Sequence, residues 1–183
     1  DHEEPEPFEQ LHRRRVGFRL GDYDRALPLV IDPEIGYTYT FADSSKDISI
    51  FACGHMVWRA VEAAESLERE DGVEAEVVNV SIIKPIDSEG VLDSLAKTGV
   101  GVTAEEHRVV GGLADAVRGV AAEQHPVPVF ALGMEDEFGV SGTAEACMEH
   151  FGLTSNGIAD LAREALLKKP MVSHPPIHGG GWS

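Results

Sequence analysis

Basic side chains are scarce in this chain: 15 lysines and arginines stand against 32 aspartates and glutamates, a formal net charge of −17. A protein that neutralises a phosphate backbone needs a basic stripe. The densest candidate, Arg13-Arg14-Arg15 with Arg19 nearby, directly follows a decapeptide holding Asp1, Glu3, Glu4, Glu6 and Glu9, which neutralises it locally. Nucleic acid is therefore not an expected partner. Cysteine is equally scarce. Cys53 and Cys147 lack the spacing of a metal site, and two residues make a thin disulfide framework for this size. Reduced, buried thiols in a cytoplasmic protein are the expectation. Long apolar runs are missing too, since residues 77–80 and 127–132 fall far short of the roughly 18 residues of a membrane span. No basic-then-apolar leader opens the chain. It begins at Asp1 rather than Met, as expected of a processed chain or a fragment.

Several signatures of chemistry are absent as well. There is no Gly-x-Ser-x-Gly elbow, no Gly-x-x-x-x-Gly-Lys loop and no His-Glu-x-x-His pair. What the chain does have is apolar content, 43% over 183 residues, enough for one buried core with tails. Residues 1–45 read as a charged, aperiodic start followed by short strands at 16–20, 29–31 and 37–41, with turns at Gly21-Asp22, Asp32-Pro33 and Gly36. Residues 170–183 hold three prolines and a Gly-Gly-Gly run, the pattern of an extended tail.

Residues 46–169 alternate regularly. Strand patterns at 48–52, 75–83, 100–104 and 127–132 are separated by helical spacing. The first helix carries Met56, Val57, Ala60, Val61, Ala64 and Leu67 and stops at Asp71-Gly72. The second is capped by Asp87, carries Val91, Leu92 and Leu95, and closes at Gly99. The third opens at Gly111-Gly112 with Leu113, Ala116, Val117, Val120 and Ala121 on one face. Two more follow, at 143–150 and after Thr154. Such alternation predicts an α/β domain of three layers, Rossmann-like, with a mostly parallel sheet covered on both faces. A short β-rich segment precedes it.

The candidate site residues follow from this frame. Glu105-Glu106-His107 is expected immediately after the third strand of the unit, where open α/β sheets place ligand contacts. Two carboxylates beside an imidazole can do acid–base work; interface or loop-anchoring hydrogen bonds are the preferred reading. Gly111-Gly112 at a helix start can cradle an anion, but without Gly-x-Gly-x-x-Gly spacing close packing is preferred. The helix it opens is expected near a two-fold interface, so that Gly112→Leu would weaken dimerisation and leave the sheet folded. His55 after Cys53-Gly54 lacks further ligands for a metal, and His174 and His178 are expected to be solvated. No metal-binding or catalytic residue is assigned.

Several segments carry a family resemblance. Asp47-Ile48-Ser49-Ile50 leading to Gly54-His55-Met56-Val57 resembles the first strand and helix of the transketolase C-terminal domain. Ile83-Lys84-Pro85-Ile86-Asp87 is similar to its strand-to-helix turn. Val102-Thr103-Ala104-Glu105-Glu106-His107 with Gly111-Gly112-Leu113 is similar to its third strand and following helix. Asp136-Glu137-Phe138-Gly139-Val140-Ser141-Gly142 resembles the late loop, and Phe151-Gly152-Leu153-Thr154 with Ile158 the last turn. The matches keep order and gaps over roughly two-thirds of the chain.

The resemblance implies one antiparallel strand, a role in dimerisation, and a non-catalytic structural domain of an enzyme that transfers ketol units between sugar phosphates. Thiamine diphosphate and magnesium would sit in the complete enzyme, on two other domains whose Gly-Asp-Gly motif and activating glutamate are not found here. The implied partners are a second copy, a subunit carrying those domains, or both. A self-standing interaction module, or the equivalent domain of a deoxyxylulose-phosphate synthase or 2-oxoacid dehydrogenase, is the alternative. Residues 16–31 are only loosely similar to the strand preceding this domain. Residues 23–37 look more like a segment preceding propeller-type repeats in bacterial surface proteins, so Arg19 is assigned no site.

Overall fold

The computed structural model describes residues 38–41 and 47–169. The strands expected at 16–20 and 29–31, Arg19, His174 and His178 lie outside the described residues. In chain order the elements are β1 (Thr38–Phe41), β2 (Ile48–Ala52), α1 (Met56–Asp71), β3 (Ala75–Val80), α2 (Ser88–Thr98), β4 (Gly101–Arg108), α3 (Leu113–Gln124), β5 (Val129–Met134), α4 (Ala144–His150) and α5 (Ser155–Leu167). The five strands form one sheet in the order β1-β3-β2-β4-β5. Strands β2 to β5 are parallel, and β1 is antiparallel to β3 along the edge. The antiparallel strand thus comes from the segment ahead of the alternating unit, where residues 37–41 were expected as a short strand.

Strand β2 lies in the middle of the sheet and is buried at all five positions. Both faces of a central parallel strand must be covered, which is why ISIFA carries no charge. On one face Ile48, Ile50 and Ala52 meet α1 and α5 through Ala60, Leu67, Ile158 and Ala162. On the other, Phe51 meets α2 and α3 through Val91, Leu95, Leu113 and Val117. Burying Phe51 completely stabilises the fold by about 1.5–3 kcal/mol.

The second face also holds a polar seam. Glu76, buried on β3, accepts from Lys97 Nζ at 2.6 Å, Ser94 Oγ at 3.0 Å and Ser49 Oγ at 3.3 Å. Ser49 and Thr98 hydroxyls lie 2.8 Å apart beside it. Every buried polar side-chain atom among the described residues has a partner.

Helix ends follow the local chemistry. Asp87 accepts from the Gly90 N–H at 3.0 Å, Thr143 from Ala146 and Thr154 from Gly157. Gly72 and Gly99 end α1 and α2 in the left-handed region, at φ 67° and 71°. Three strand boundaries differ from expectation. Strand β3 stops at Val80, and Ile83 instead bridges Ile86 across the Lys84-Pro85 turn. Strand β5 starts after Pro128, since Pro126 and Pro128 have no N–H for a ladder, and it runs on to Met134. Strand β4 extends through Arg108, so Glu105, Glu106 and His107 are strand residues rather than the loop after a strand. Pairing with β5 carries the strand past its apolar run, through an irregularity between Ala104 and Arg108.

Candidate functional site at the carboxyl edge of the sheet

The chain order defines one crevice. From β2 the chain passes through α1 to β3 on one side, and from β4 through α3 to β5 on the other. Helices α1 and α3 lie on opposite faces of the sheet. The carboxyl ends of β2 and β4 are therefore a topological switch point, the usual ligand position in open α/β sheets. Cys53-Gly54-His55 and Glu105-Glu106 meet there.

Glu105 fills the place a ligand would take. Its side chain is 1% exposed, and its two oxygens accept from the Leu113 N–H at 2.7 Å and the Ala114 N–H at 2.9 Å. These are free donors of the first turn of α3, where the helix dipole favours negative charge. In dinucleotide-binding sheets a phosphate occupies such N–H groups; here a carboxylate of the same chain does.

Gly112 is what makes this seating possible. A Cβ there would lie 2.0 Å from Glu105 Oε2 and 2.7 Å from the Arg108 carbonyl oxygen. The close approach is thus within the chain, so Gly112→Leu would displace Glu105 or the Arg108 carbonyl at the end of β4. Gly111, at φ 81°, donates its N–H to Asp115 Oδ2 at 2.7 Å and turns the chain into the helix.

The neighbouring residues divide. Glu106 Oε2 lies 3.0 Å from His55 Nδ1, and both side chains are solvated, 43% and 86% exposed. This pair across the switch point joins two strand ends 51 residues apart, which spacing along one sequence cannot reveal. His107 stands apart, its Nδ1 3.1 Å from the Arg108 carbonyl oxygen. Cys53, directly after β2, and Cys147, within α4, are free and half-buried rather than fully buried. Burial, with the charges of Glu105 and then Glu106, pushes the Cys53 thiol up to about 11. A thiol so shifted is protonated at neutral pH and is no nucleophile. Among the described residues no group of three His, Cys, Asp or Glu is placed to hold a metal ion. A groove of about 500 Å³ between α3 and β5 includes Ala121, Pro126 and Val127. Its one charged group, Arg118, donates to the Val129 carbonyl oxygen at 3.2 Å.

The family model described as transketolase, C-terminal domain, matches residues 39–158. The chain belongs to the transketolase C-terminal domain family. A relative from Clostridium sp. (strain MSTE9), 6-deoxy-6-sulfo-D-fructose transketolase subunit SqwH, is 44% identical over 123 residues, 67% of this chain and 38% of its own. The 1-deoxy-D-xylulose-5-phosphate synthase of Heliobacterium modesticaldum is 39% identical over 119 residues, 64% of this chain and 18% of its own. Among solved structures, a split gene transketolase described as an inactive beta4 tetramer superposes with a TM-score of 0.70 at 41% identity, covering 78% of this chain and 45% of that one. The chain thus spans less than half the length of each of these relatives. The sequence resemblance and the three-layer, mostly parallel fold expected of it both hold for this transketolase C-terminal domain. Among the described residues no helix is long and apolar enough to cross a membrane.

Proposed function

We propose that this chain serves as the non-catalytic, structural C-terminal domain of a split transketolase, completed by domains that bind thiamine diphosphate and magnesium. The observation that carries this reading is the seating of Glu105. A diphosphate needs free N–H donors and positive potential, and the α3 terminus at the switch point presents a buried carboxylate instead. At that terminus the residues present do not fit the cofactor's diphosphate, and no chemical step is derived through it. The chain's own residues at this edge hold geometry: Glu105 and Gly112 lock α3 onto β4, and the His55–Glu106 pair spans β2 and β4. In this role the domain acts in the cytoplasm as part of a dimer or a heteromer.

The 44% identity to a transketolase subunit and the 41% identity to a split gene transketolase support the reading. The equivalent role in a deoxyxylulose-phosphate synthase is a second reading, supported by the Heliobacterium relative. Reconstitution tests both. The chain is mixed with a transketolase from which its C-terminal domain has been removed, and ketol transfer is compared with and without it. Restored transfer by the mixture, and none by the chain alone, is expected. Transfer by the chain alone would overturn the reading, and restoration of a truncated deoxyxylulose-phosphate synthase but not of the transketolase would favour the second.

A further inference from the structure

The amino edge of the sheet holds an apolar surface that the described helices leave open. A parallel strand is ordinarily covered on both faces, yet β5 is only half-buried at all six positions, whereas central β2 is fully buried. The gap lies where the end of α3 faces the run into β5. Exposed Ala122 and Pro126 and half-buried Val127 and Pro128 line the groove of about 500 Å³ there. Its one charged lining group among the described residues, Arg118, is turned to the Val129 carbonyl oxygen. An anionic ligand would need further cations to hold it; a neutral apolar segment needs none.

The last described residue delivers such a segment to the same edge. Lys169 Nζ reaches from the end of α5 to the Asp47 carbonyl oxygen at 2.9 Å, just ahead of β2. Its ε-carbon lies 3.5 Å from where a Gly99 Cβ would stand, just ahead of β4. Two residues on, the Gly101 N–H donates to the Pro128 carbonyl oxygen at 3.0 Å. Gly99 and the rim of the groove are therefore about 12 Å apart. Residues 170–183 follow Lys169 directly and, at about 3.1 Å per residue, can extend over about 43 Å. Residues 1–37, by contrast, join the sheet through β1 at the opposite edge.

The composition of residues 170–183 suits the groove. They carry no aspartate or glutamate in a chain of net charge −17, and they hold Pro175, Pro176, Ile177 and Trp182. Paired prolines leave little backbone freedom to lose on docking. Gly179, Gly180 and Gly181 let the chain turn between the two large apolar groups. A tryptophan can bury about 150–250 Å². Attachment at Lys169 gives segment and groove an effective concentration on the order of millimolar, so a weak contact suffices.

We propose that residues 170–183 dock within their own chain in the groove between α3 and β5, bringing Ile177 and Trp182 against Ala122, Pro126 and Val127. This docking is independent of the proposed function, and its failure leaves that reading untouched.

Tryptophan fluorescence of the full chain tests it. Trp58 and Trp182 are the two tryptophans, and Trp58 is exposed, so Trp58→Phe leaves Trp182 as the single reporter. Its emission and its quenching by acrylamide are compared with those of a synthetic peptide of residues 170–183. Expected are a blue-shifted maximum and quenching about threefold weaker than in the peptide, both independent of protein concentration. Ala122→Glu or Pro126→Glu, each at an exposed position of the groove, returns both signals to the peptide's values. Val110→Glu, on an exposed side chain at the carboxyl edge, changes neither. Far-UV circular dichroism verifies that each variant is folded. Peptide-like signals from the full chain, or protection that survives both groove variants, overturn the proposal. Protection that rises with protein concentration assigns the groove to a second copy's segment and overturns docking within one chain.

Discussion

Replacing Glu105 by alanine strips the switch point of its central contact, and the size of the effect follows from the geometry. Two hydrogen bonds to a charged acceptor, at 2.7 and 2.9 Å, are lost, each contributing about 1.5–3 kcal/mol. The N–H groups of Leu113 and Ala114, residues buried completely, are left without that acceptor at the first turn of α3. Against this, removing a buried carboxylate relieves a desolvation penalty of several kcal/mol. The net destabilisation is about 3 kcal/mol. With a urea m-value of about 2 kcal/mol/M, the midpoint falls by about 1.5 M. Far-UV circular dichroism against urea reads it directly.

A second substitution sharpens the test. Gly112→Ala places a Cβ against Glu105 Oε2 and the Arg108 carbonyl oxygen, so it destabilises alone by about 1–3 kcal/mol. In the Glu105→Ala background the clash with the carboxylate vanishes while that with Arg108 stays. The double variant is then less destabilised than the sum by at least about 1 kcal/mol. A midpoint shift below about 0.3 M for Glu105→Ala, or strict additivity of the pair, would refute the claim that Glu105 locks α3 onto the sheet.

Three further outcomes are expected. At pH 8 the Cys53 thiol, pushed up to about 11, reacts with iodoacetamide about a hundredfold more slowly than an unperturbed cysteine near 9, as mass spectrometry of the alkylated peptide reads; the same raised value means stability is fully present below pH 9 and is lost as pH rises toward 11. Glu76→Ala leaves Lys97, Ser94 and Ser49 without their shared acceptor and costs about 3 kcal/mol by urea unfolding; an effect below about 1 kcal/mol would mean that water replaces the carboxylate freely. Gly157→Ala drives a Cβ to 2.2 Å from the Gly152 carbonyl oxygen at the start of α5, and a thermal melt lowered by several degrees, about 1–3 kcal/mol, is expected.

Much of the fold was legible because its signals are local. The apolar run of β2, the cap at Asp87 and the glycines closing α1 and α2 each act within a few residues, and the structure keeps all of them. Boundaries set by pairing were not legible. Polar Glu106, His107 and Arg108 remain in strand β4 because β5 continues beside them, and nothing within the segment announces its neighbour. The helical face of α3 shows the same limit: Ala114 is buried and Ala116 is only half-buried, a rotation fixed by how Glu105 seats the first turn. Glu105, Glu106, His107, Gly111 and Gly112 could be singled out by strand-end position and glycine pairing, whereas the His55–Glu106 pair and the Glu76 seam depend on contacts between distant strands and helices. The mostly exposed surface of α4, from which Met148 packs half-buried against the core, was hidden for another reason. Its residue types suit a helix, and only the packed structure shows that none of them is buried.

The measurement closest to the central claim is calorimetry of the purified full chain titrated with thiamine diphosphate in the presence of magnesium. With Glu105 filling the α3 terminus at the switch point, no saturable heat is expected at millimolar cofactor. Saturable binding by the chain alone would contradict the assignment of a structural domain that depends on others for its cofactor.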